Sequence, residues 1–224
     1  MTLSQPGSYR LSGNLTVPDL NTTAIQITAD NVSLDLNGFS IIGPNVCTTG
    51  LTTCAQSAGV GVRGDDSQGS GPLGVGVFNG TVRSMGGAGI RTIGKGSALE
   101  RVNALGNGDN GIFVVGSVTE SVANLNGGAG IEADSVRGCA ANQNRLDGIG
   151  ISQGSAIGNT ASSNGRAGFF VAFGSAVTGN AANANKTFGI DAACPSSIVG
   201  NANVGNQQGS IRTNGVCTVA NNTP

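Results

Sequence analysis

The sequence predicts an all-β protein, a single-stranded right-handed parallel β-helix (a solenoid) of about nine coils with two loop insertions. An asparagine recurs every 18 to 21 residues in the second half of the chain, and an apolar anchor follows five positions after each one. A fixed period near 20 residues is typical of solenoids, whose repeats pack only on their neighbours. The asparagines are Asn107, Asn126, Asn144, Asn164, Asn185 and Asn206, and the anchors are Ile112, Ile131, Ile149, Phe169, Ile190 and Ile211.

Short strands begin at these anchors. Segments such as Ile131-Glu132-Ala133 and Ile190-Asp191-Ala192 alternate apolar and polar residues, which indicates strands with one buried face. A glycine stands immediately before five of the six anchors, and we expect it to supply a positive φ at a sharp corner. The six stacked asparagines predict a ladder, in which side-chain amides pass hydrogen bonds from coil to coil.

The first half follows the same plan less regularly. Ile25, Val60 and Ile90 extend the anchor series, and the wide steps between them require loop insertions at 44–58 and 64–73. Residues 1–20 are expected to form a partial N-terminal capping coil, and regular repeats are expected over 86–215. The whole chain, 1–224, is therefore predicted to be one β-helix domain.

The residue after each anchor should point outward, and these residues form a predicted outward row. Its members are Gln26, Gly61, Arg91, Phe113, Glu132, Gly150, Phe170, Asp191 and Arg212. Glu132 and Asp134 share a face of one strand about 7 Å apart, so they are candidates for a calcium site or an acid/base pair, or form only a solvated acidic spot. The catalytic candidates are Glu132, Asp134, Asp191 and Arg91, and the substrate-binding candidates are Phe113, Phe170 and Arg212.

Two segments resemble the pectate-lyase-like right-handed β-helix superfamily. They are Ile27-Thr28-Ala29-Asp30-Asn31-Val32-Ser33-Leu34-Asp35-Leu36-Asn37-Gly38 and Phe78-Asn79-Gly80-Thr81-Val82. The resemblance implies the fold for nearly the whole chain. It does not imply one function, because lyases, hydrolases, epimerases, phage tail proteins and surface proteins share these structural motifs. Its enzymes mostly act on acidic polysaccharides in a groove along one outer sheet.

The family's histidine-dependent sites are absent, because the chain contains no histidine. The Arg-x-Pro-x-x-Arg motif of pectate-lyase-type enzymes is also missing. The pair Asp65-Asp66 in the second insertion is either a polar loop tip or part of a site under that loop. The chain has no tryptophan and one tyrosine, which argues against the stacking platforms of a sugar-processing enzyme.

The five cysteines indicate an oxidising compartment. Cys47 and Cys54 bracket a short polar loop, and Cys194 and Cys217 lie about one repeat apart, so both pairs are candidate disulfides. Cys139 has no obvious partner and is expected to be a small buried residue. The N-terminus lacks signal-peptide features. We therefore expect a mature extracellular or cell-surface protein, with a cytosolic location as the alternative.

The leading functional prediction is an extracellular rod with a structural role or a carbohydrate- or partner-binding role, without a catalytic site or a cofactor. The formal net charge of -1 offers no basic stripe for nucleic acid, and no apolar run is long enough for membrane insertion. One alternative is a polysaccharide lyase or glycoside hydrolase that acts on a polysaccharide or surface glycan in a groove of the outer sheet, with or without the help of calcium. Another is a self-assembling surface or tail subunit that forms a homo-oligomer or stacks end to end.

Overall fold

The computed structural model describes residues 1–48, 53–65 and 70–224, and parallel strands make up its solenoid of about ten turns. No helix occurs in these residues. The anchor sheet contains β1 (Thr2–Leu3), β4 (Ile25–Ile27), β7 (Val62–Gly64), the start of β9 (Ile90–Leu105), the start of β10 (Ile112–Thr119), β12 (Ile131–Ala133), β15 (Ile149–Ile151), β18 (Phe169–Val171), β21 (Phe188–Ala193) and β24 (Gly209–Asn214).

Two further sheets complete each turn. The second sheet contains β2 (Gly7–Arg10), β5 (Val32–Asp35), the start of β8 (Gly76–Arg83), the middle of β9, the end of β10, β13 (Ser135–Arg137), β16 (Ser155–Ile157), β19 (Ala176–Thr178), β22 (Ser197–Val199) and β25 (Thr218–Ala220). The third sheet contains β3 (Leu15–Thr16), β6 (Ser40–Ile42), the ends of β8 and β9, β11 (Val122–Asn124), β14 (Ala140–Asn142), β17 (Thr160–Ser162), β20 (Ala181–Asn183) and β23 (Ala202–Val204).

The count of about ten turns exceeds the predicted nine because the N-terminal segment supplies strands to all three sheets. β1 pairs with β4, β2 with β5, and β3 with β6, all in parallel. Residues 2–16 therefore make a turn of their own.

One continuous core fills the solenoid, and each sheet contributes an inward column to it. The anchor column is large and fully buried, as at Ile112, Ile131 and Phe169. The third sheet instead buries alanines, such as Ala123 and Ala141. Small side chains there leave room for the asparagines beside them. Burial of each large anchor contributes roughly 1.5–3 kcal/mol to folding, and the second sheet adds a column of buried side chains such as Leu99 and Val136.

The predicted register is wrong at one coil. Ile25 pairs with Val62, and Val62 pairs with Ile90, so Val62 rather than Val60 is the anchor of the third turn. Gly61 therefore stands before the anchor, as Gly89 and its equivalents do, and does not belong to the outward row. Arg63 takes that place.

The glycines before the anchors are required for a different reason from the one predicted. None of Gly111, Gly130, Gly148, Gly168 and Gly189 has a positive φ. Instead, a Cβ at Gly130 would lie 2.6 Å from the carbonyl oxygen of Gly148 and 2.6 Å from Asn144 Nδ2. Close approach of the next coil, rather than backbone handedness, excludes a side chain there.

The predicted asparagine ladder is confirmed, and each member bonds both to a side chain and to the backbone. The Nδ2 of Asn126 donates to Asn144 Oδ1 at 3.0 Å and to the Ala104 carbonyl at 3.2 Å. The Asn126 backbone N–H donates to the same Oδ1 at 3.0 Å. The same pattern runs from Asn107 to Asn206.

A second ladder lies at the corner between the second and third sheets. Its members are Asn159, Asn180, Asn201 and Asn222. Cys139 stands next in this column, since its N–H donates to Asn159 Oδ1 at 2.9 Å. The free, buried Cys139 is thus confirmed as a small interior residue, and burial raises the pKa of its thiol to about 11.

Both predicted disulfides are present, Cys47–Cys54 and Cys194–Cys217. The first closes the insertion at 44–58, whose residues 49–52 lie outside the described part of the chain. The second joins the last two coils. Two disulfides are consistent with a protein of an oxidising compartment. Among the described residues, no helix is long and apolar enough to cross a bilayer.

Candidate functional site

In-register parallel pairing builds one outward row on the anchor sheet. The row contains Gln26, Arg63, Arg91, Phe113, Glu132, Gly150, Phe170, Asp191 and Arg212. Neighbouring members stand about 4.8 Å apart, the spacing of paired strands. The structure therefore brings together the predicted candidates Arg91, Phe113, Glu132, Phe170, Asp191 and Arg212.

The two insertions contact the chain on opposite sides of this row. Insertion 44–58 packs on the turns that precede the anchor strands, where a Cβ at Gly108 would lie 2.4 Å from the Ala55 carbonyl oxygen. The described end of insertion 64–73 lies beyond the ends of those strands, where a Cβ at Gly94 would lie 1.8 Å from the Pro72 carbonyl oxygen. The coil of Arg91 is therefore bordered on both sides.

The N-terminal part of the row is basic and preassembled. Asp65 Oδ2 lies 2.6 Å from Arg91 Nε, and Asp65 Oδ1 lies 3.4 Å from Arg63 Nε. Gln26 Nε2 donates to the Asp65 carbonyl at 2.9 Å. One carboxylate thus serves two guanidinium groups and leaves one net positive charge. Asp65 belongs to the site rather than to a free loop tip, whereas Asp66 lies outside the described residues.

An aromatic ring follows the arginines. The Arg91 guanidinium carbon lies 4.8 Å from the centroid of the Phe113 ring, within the range of a cation–π contact. Phe113 is half-buried, so the ring and the guanidinium present one flat, partly apolar surface. Arg91 is held by both neighbours, Asp65 and Phe113, and its orientation is therefore fixed.

Glu132 is the central carboxylate of the row. Its Oε2 accepts a 3.0 Å hydrogen bond from Asn110 Nδ2, and its Cγ lies 3.1 Å from where a Cβ of Gly150 would stand. The Glu132 side chain therefore packs over Gly150, which is buried. Burial raises the pKa of the Glu132 carboxyl, the Asn110 bond opposes this, and the charges of Asp109 and Asp147 add to it.

Asp147 is a second carboxylate beside the row, and the sequence candidates do not include it. It lies in the turn before Ile149, is 9% exposed, and accepts the Ala167 N–H at 2.9 Å. Burial raises its pKa, although the Ala167 bond and the charge of Arg166, 3.4 Å away, lower it. The available sequence signal was an acid at a turn position where three other repeats have alanine, at Ala88, Ala129 and Ala167.

Asp134 does not share the strand of Glu132. β12 ends at Ala133, and Asp134 lies at the corner beyond it, where its N–H donates to the Gly116 carbonyl at 3.0 Å. The reason is the shortness of the strand, which turns one residue earlier than expected. Within the described residues, no group of three or more His, Cys, Asp or Glu is placed to hold a metal ion.

The C-terminal part of the row is apolar and then ion-paired. Phe170 is 46% exposed and stands about 14 Å from Phe113, three strand spacings along the row. Arg212 bonds Asp191 through both Nε and Nη2, and its guanidinium lies 4.6 Å from the Phe188 ring centroid. Two stacked Arg–Phe pairs therefore border a central stretch that contains a carboxylate packed over a glycine and an exposed ring.

The fold and this row define a parallel β-helix with a mixed polar and aromatic outer face. No protein-family model and no curated protein sequence matches the chain. Solved structures do match it, and they confirm the right-handed β-helix fold predicted from the sequence. Each shares under 25% identity with the chain, so the likeness concerns the fold alone.

Three of these structures are similar over nearly the whole chain. The Dettilon tailspike protein has a TM-score of 0.58 at 13% identity, and the match covers 95% of this chain and 59% of that one. The A-module of mannuronan C-5 epimerase AlgE4 from Azotobacter vinelandii has a TM-score of 0.55 at 14% identity, with coverage of 100% and 86%. A double mutant of the periplasmic alginate epimerase AlgG has a TM-score of 0.55 at 12% identity, with coverage of 99% and 76%. The chain thus spans less than two thirds of the tailspike's length.

Proposed function

We propose that the protein is an extracellular or cell-surface β-helix rod that binds a glycan along the outward row of its anchor sheet. The observation that carries this proposal is the continuous surface formed by Arg91, Phe113 and Glu132 beside the two insertions. Rings and stacked guanidinium groups present flat faces to sugar C–H groups, and the carboxylate accepts hydroxyl hydrogen bonds. The matched tailspike and epimerase structures support a carbohydrate-related role.

Binding measurements on aromatic variants test this proposal. Phe113→Ala and Phe170→Ala should each weaken binding to a glycan found in an array screen by about tenfold, since each removes a ring from the row. Val204→Ala is the matched control, because Val204 is an exposed apolar residue on the third sheet. Equal affinity of all three variants and the wild type would contradict binding at this face.

A second candidate function is a polysaccharide-active enzyme. The specific observation in its favour is the pair of partly buried carboxyls, Glu132 and Asp147, both with a raised pKa. A raised pKa suits a carboxyl that donates or accepts a proton near neutral pH. Asp134, Asp191 and Arg91 complete the candidate set, with calcium as a candidate helper.

Turnover assays separate this function from simple binding. Incubation with polyuronates, with and without calcium, should yield unsaturated products that absorb at about 235 nm if the protein is a lyase, and reducing ends if it is a hydrolase. Glu132→Gln should abolish the signal, whereas the Val204→Ala control should retain it. Binding without any product would favour the glycan-binding rod.

Self-assembly is a third candidate, supported by the exposed core at the C-terminal coil. Val219 is 48% exposed, although its neighbour in the column, Ile198, is fully buried. We propose that a second copy of this chain covers this end.

The mass in solution tests this association. Light scattering at increasing concentration should show a dimer or longer stack, and Val219→Glu should return it to a monomer. Ile157→Glu is the control, because Ile157 is equally exposed on the side of the rod. A strictly monomeric wild type at high concentration would exclude end-to-end stacking.

A further inference from the structure

A shallow depression of about 460 Å³ lies on a different face, at the corner between the anchor sheet and the second sheet. Its lining residues are Gly154, Gly174, Ser175, Ala176, Pro195, Ser196, Ser197, Val216 and Thr218. None of these described residues is charged, and four carry hydroxyl groups. Its volume falls within the range of small-ligand sites, although it is an open depression.

The Ser175 hydroxyl in this depression is buried and unpartnered. Ser175 is 3% exposed, and its Oγ has no hydrogen-bond partner in the structure. A buried hydroxyl without a partner forfeits a hydrogen bond that water would supply in the unfolded chain. Such groups are uncommon in folded proteins, and they call for a specific explanation.

Equivalent serines of the same column satisfy their hydroxyls internally. Ser97 Oγ donates to the carbonyl three residues before it, Gly94, at 2.8 Å. Ser196 Oγ does the same with Ala193 at 2.8 Å. The corresponding carbonyl for Ser175, that of Ala172, instead lies 3.3 Å from Ser196 Oγ. The Ser175 hydroxyl therefore lies without a partner just beneath the wall of the depression.

A column of small uncharged side chains continues from the depression along the second sheet. Its members are Ser33, Gly76, Ala98, Ser117, Ser135, Ser155, Ala176, Ser197 and Thr218. A second depression of about 270 Å³ lies over the other end of this column, at Ser33, Gly76 and Ala98. Between them the column itself is uncharged and carries hydroxyls at Ser117, Ser135 and Ser155, while the charged side chains of Glu100 and Arg137 lie two residues further along the same strands.

We propose that this column binds an uncharged oligosaccharide, with Ser175 Oγ as a hydrogen-bonding group of the site. Uncharged walls impose no desolvation of buried charge on a neutral sugar, and hydroxyls exchange hydrogen bonds with it. Pro195 and Val216 supply apolar contacts to a ring face. The site is separate from the outward row, although the ligand class rests on the carbohydrate role proposed above.

Calorimetric titration of the full chain tests the proposal, with cellohexaose and maltohexaose as uncharged probes and hexagalacturonate as the charged probe. The wild type should bind an uncharged probe. Ser175→Ala should weaken that binding by about five- to tenfold, the contribution of one neutral hydrogen bond. Ala176→Glu, which places a charge in the depression, should abolish it. Ser97→Ala is the matched control and should leave binding unchanged.

Thermal unfolding supplies a second readout. Ser175→Ala should leave Tm unchanged or raise it, because no internal hydrogen bond is lost, whereas Ser97→Ala should lower Tm. An equal loss of Tm in the two variants would overturn the proposal, as would uncharged-probe binding that survives both Ser175→Ala and Ala176→Glu. Failure of the wild type to bind either uncharged probe would overturn it too.

The test also separates the two faces. Binding lost in Phe113→Ala but kept in Ser175→Ala would support the outward row and overturn the second site. The reverse pattern would support the second site and contradict the proposed function.

Discussion

Buried primary amides stabilise the corners of this protein residue by residue. Each interior asparagine of the two ladders donates to one backbone carbonyl and to the next asparagine, and it accepts from the asparagine before it. Asn180, for example, bonds the Ala156 carbonyl and Asn201 Oδ1, each at 2.9 Å. Loss of Asn180 would leave the backbone N–H and Nδ2 of Asn159 without their acceptor, and the Ala156 carbonyl without its donor.

We expect Asn180→Ala to lower the free energy of unfolding by about 2–4 kcal/mol, because several buried polar groups lose their partners at once. Asn222→Ala, at the last coil of the same ladder, should cost about 1 kcal/mol, since its amide is only partly buried. Urea denaturation of both variants measures the difference. Equal costs would contradict a ladder whose strength depends on neighbours on both sides.

Glu132 makes stability depend on pH. Its pKa is raised in the folded protein, so ionisation weakens the fold: the effect is absent below the unfolded pKa and develops as pH rises through the folded pKa. Glu132→Gln keeps an acceptor for Asn110 without the charge. It should therefore stabilise the protein by on the order of 1 kcal/mol at pH 7 and by almost nothing near pH 4. Thermal melts at the two pH values check this, with Glu120→Gln as an exposed control.

The residue-scale predictions succeeded where the sequence repeats strictly. The first ladder stands out because an apolar anchor always follows its asparagines at the same distance. The second ladder has an equally regular 21-residue spacing, at Asn159, Asn180 and Asn201, but each asparagine lies between two short strands with no large anchor beside it. Asp147 escaped notice because burial in a turn depends on the next coil, which local sequence does not reveal.

At the scale of single elements, the glycine before each anchor sets how closely coils stack. Gly130 has ordinary backbone angles, yet a Cβ there would meet the Gly148 carbonyl oxygen and Asn144 Nδ2 at 2.6 Å. The turn before each anchor strand therefore requires a residue without a side chain, because the next coil packs directly against it. The same steric requirement explains why the predicted register of β7 was wrong. Gly61 is the glycine before the anchor Val62, and a Cβ there would lie 2.6 Å from the Gly89 carbonyl oxygen.

Gly130→Ala should therefore destabilise the protein by about 1–3 kcal/mol, since the added methyl group forces a backbone shift and disturbs the first ladder. Gly13→Ala is the control, because a Cβ at Gly13 meets nothing within 4 Å and should change stability by under about 0.5 kcal/mol. Chemical denaturation of both variants compares them. An unchanged free energy of unfolding in Gly130→Ala would show that neighbouring coils can move apart without loss of stability.

At the scale of the whole molecule, stability should decline toward the C-terminal coil. Each coil of a solenoid is held by the coils on either side of it. In β24 the anchor Ile211 is only partly buried, and in β25 the equivalent core residue, Val219, is 48% exposed. The Cys194–Cys217 disulfide ties β25 to the coil before it.

Hydrogen exchange should follow this gradient. We expect amides of β24 and β25 to exchange fastest and those of β10 to β15 slowest. Reduction of the protein should accelerate exchange at β22, β24 and β25 while leaving β12 and β15 unaffected, because the second disulfide closes only the last turn. A Cys47→Ser/Cys54→Ser double variant, which lacks the first disulfide, should show no such change at the C-terminal coils. Uniform exchange along the rod would contradict local stabilisation.

The asparagine ladders and the close glycine contacts between coils restrict how the length of such a chain can change. A tandem copy of residues 164–184, inserted before Asn185, would meet the same small alanine, the same glycine and the same amide acceptor on both of its faces. Duplication of one such unit therefore lengthens the rod and keeps every ladder hydrogen bond and every close glycine contact. Loss or gain of a few residues within a unit, by contrast, would interrupt both asparagine ladders and one close glycine contact at the same time. Rods of this construction are expected to change length in whole steps of about 21 residues.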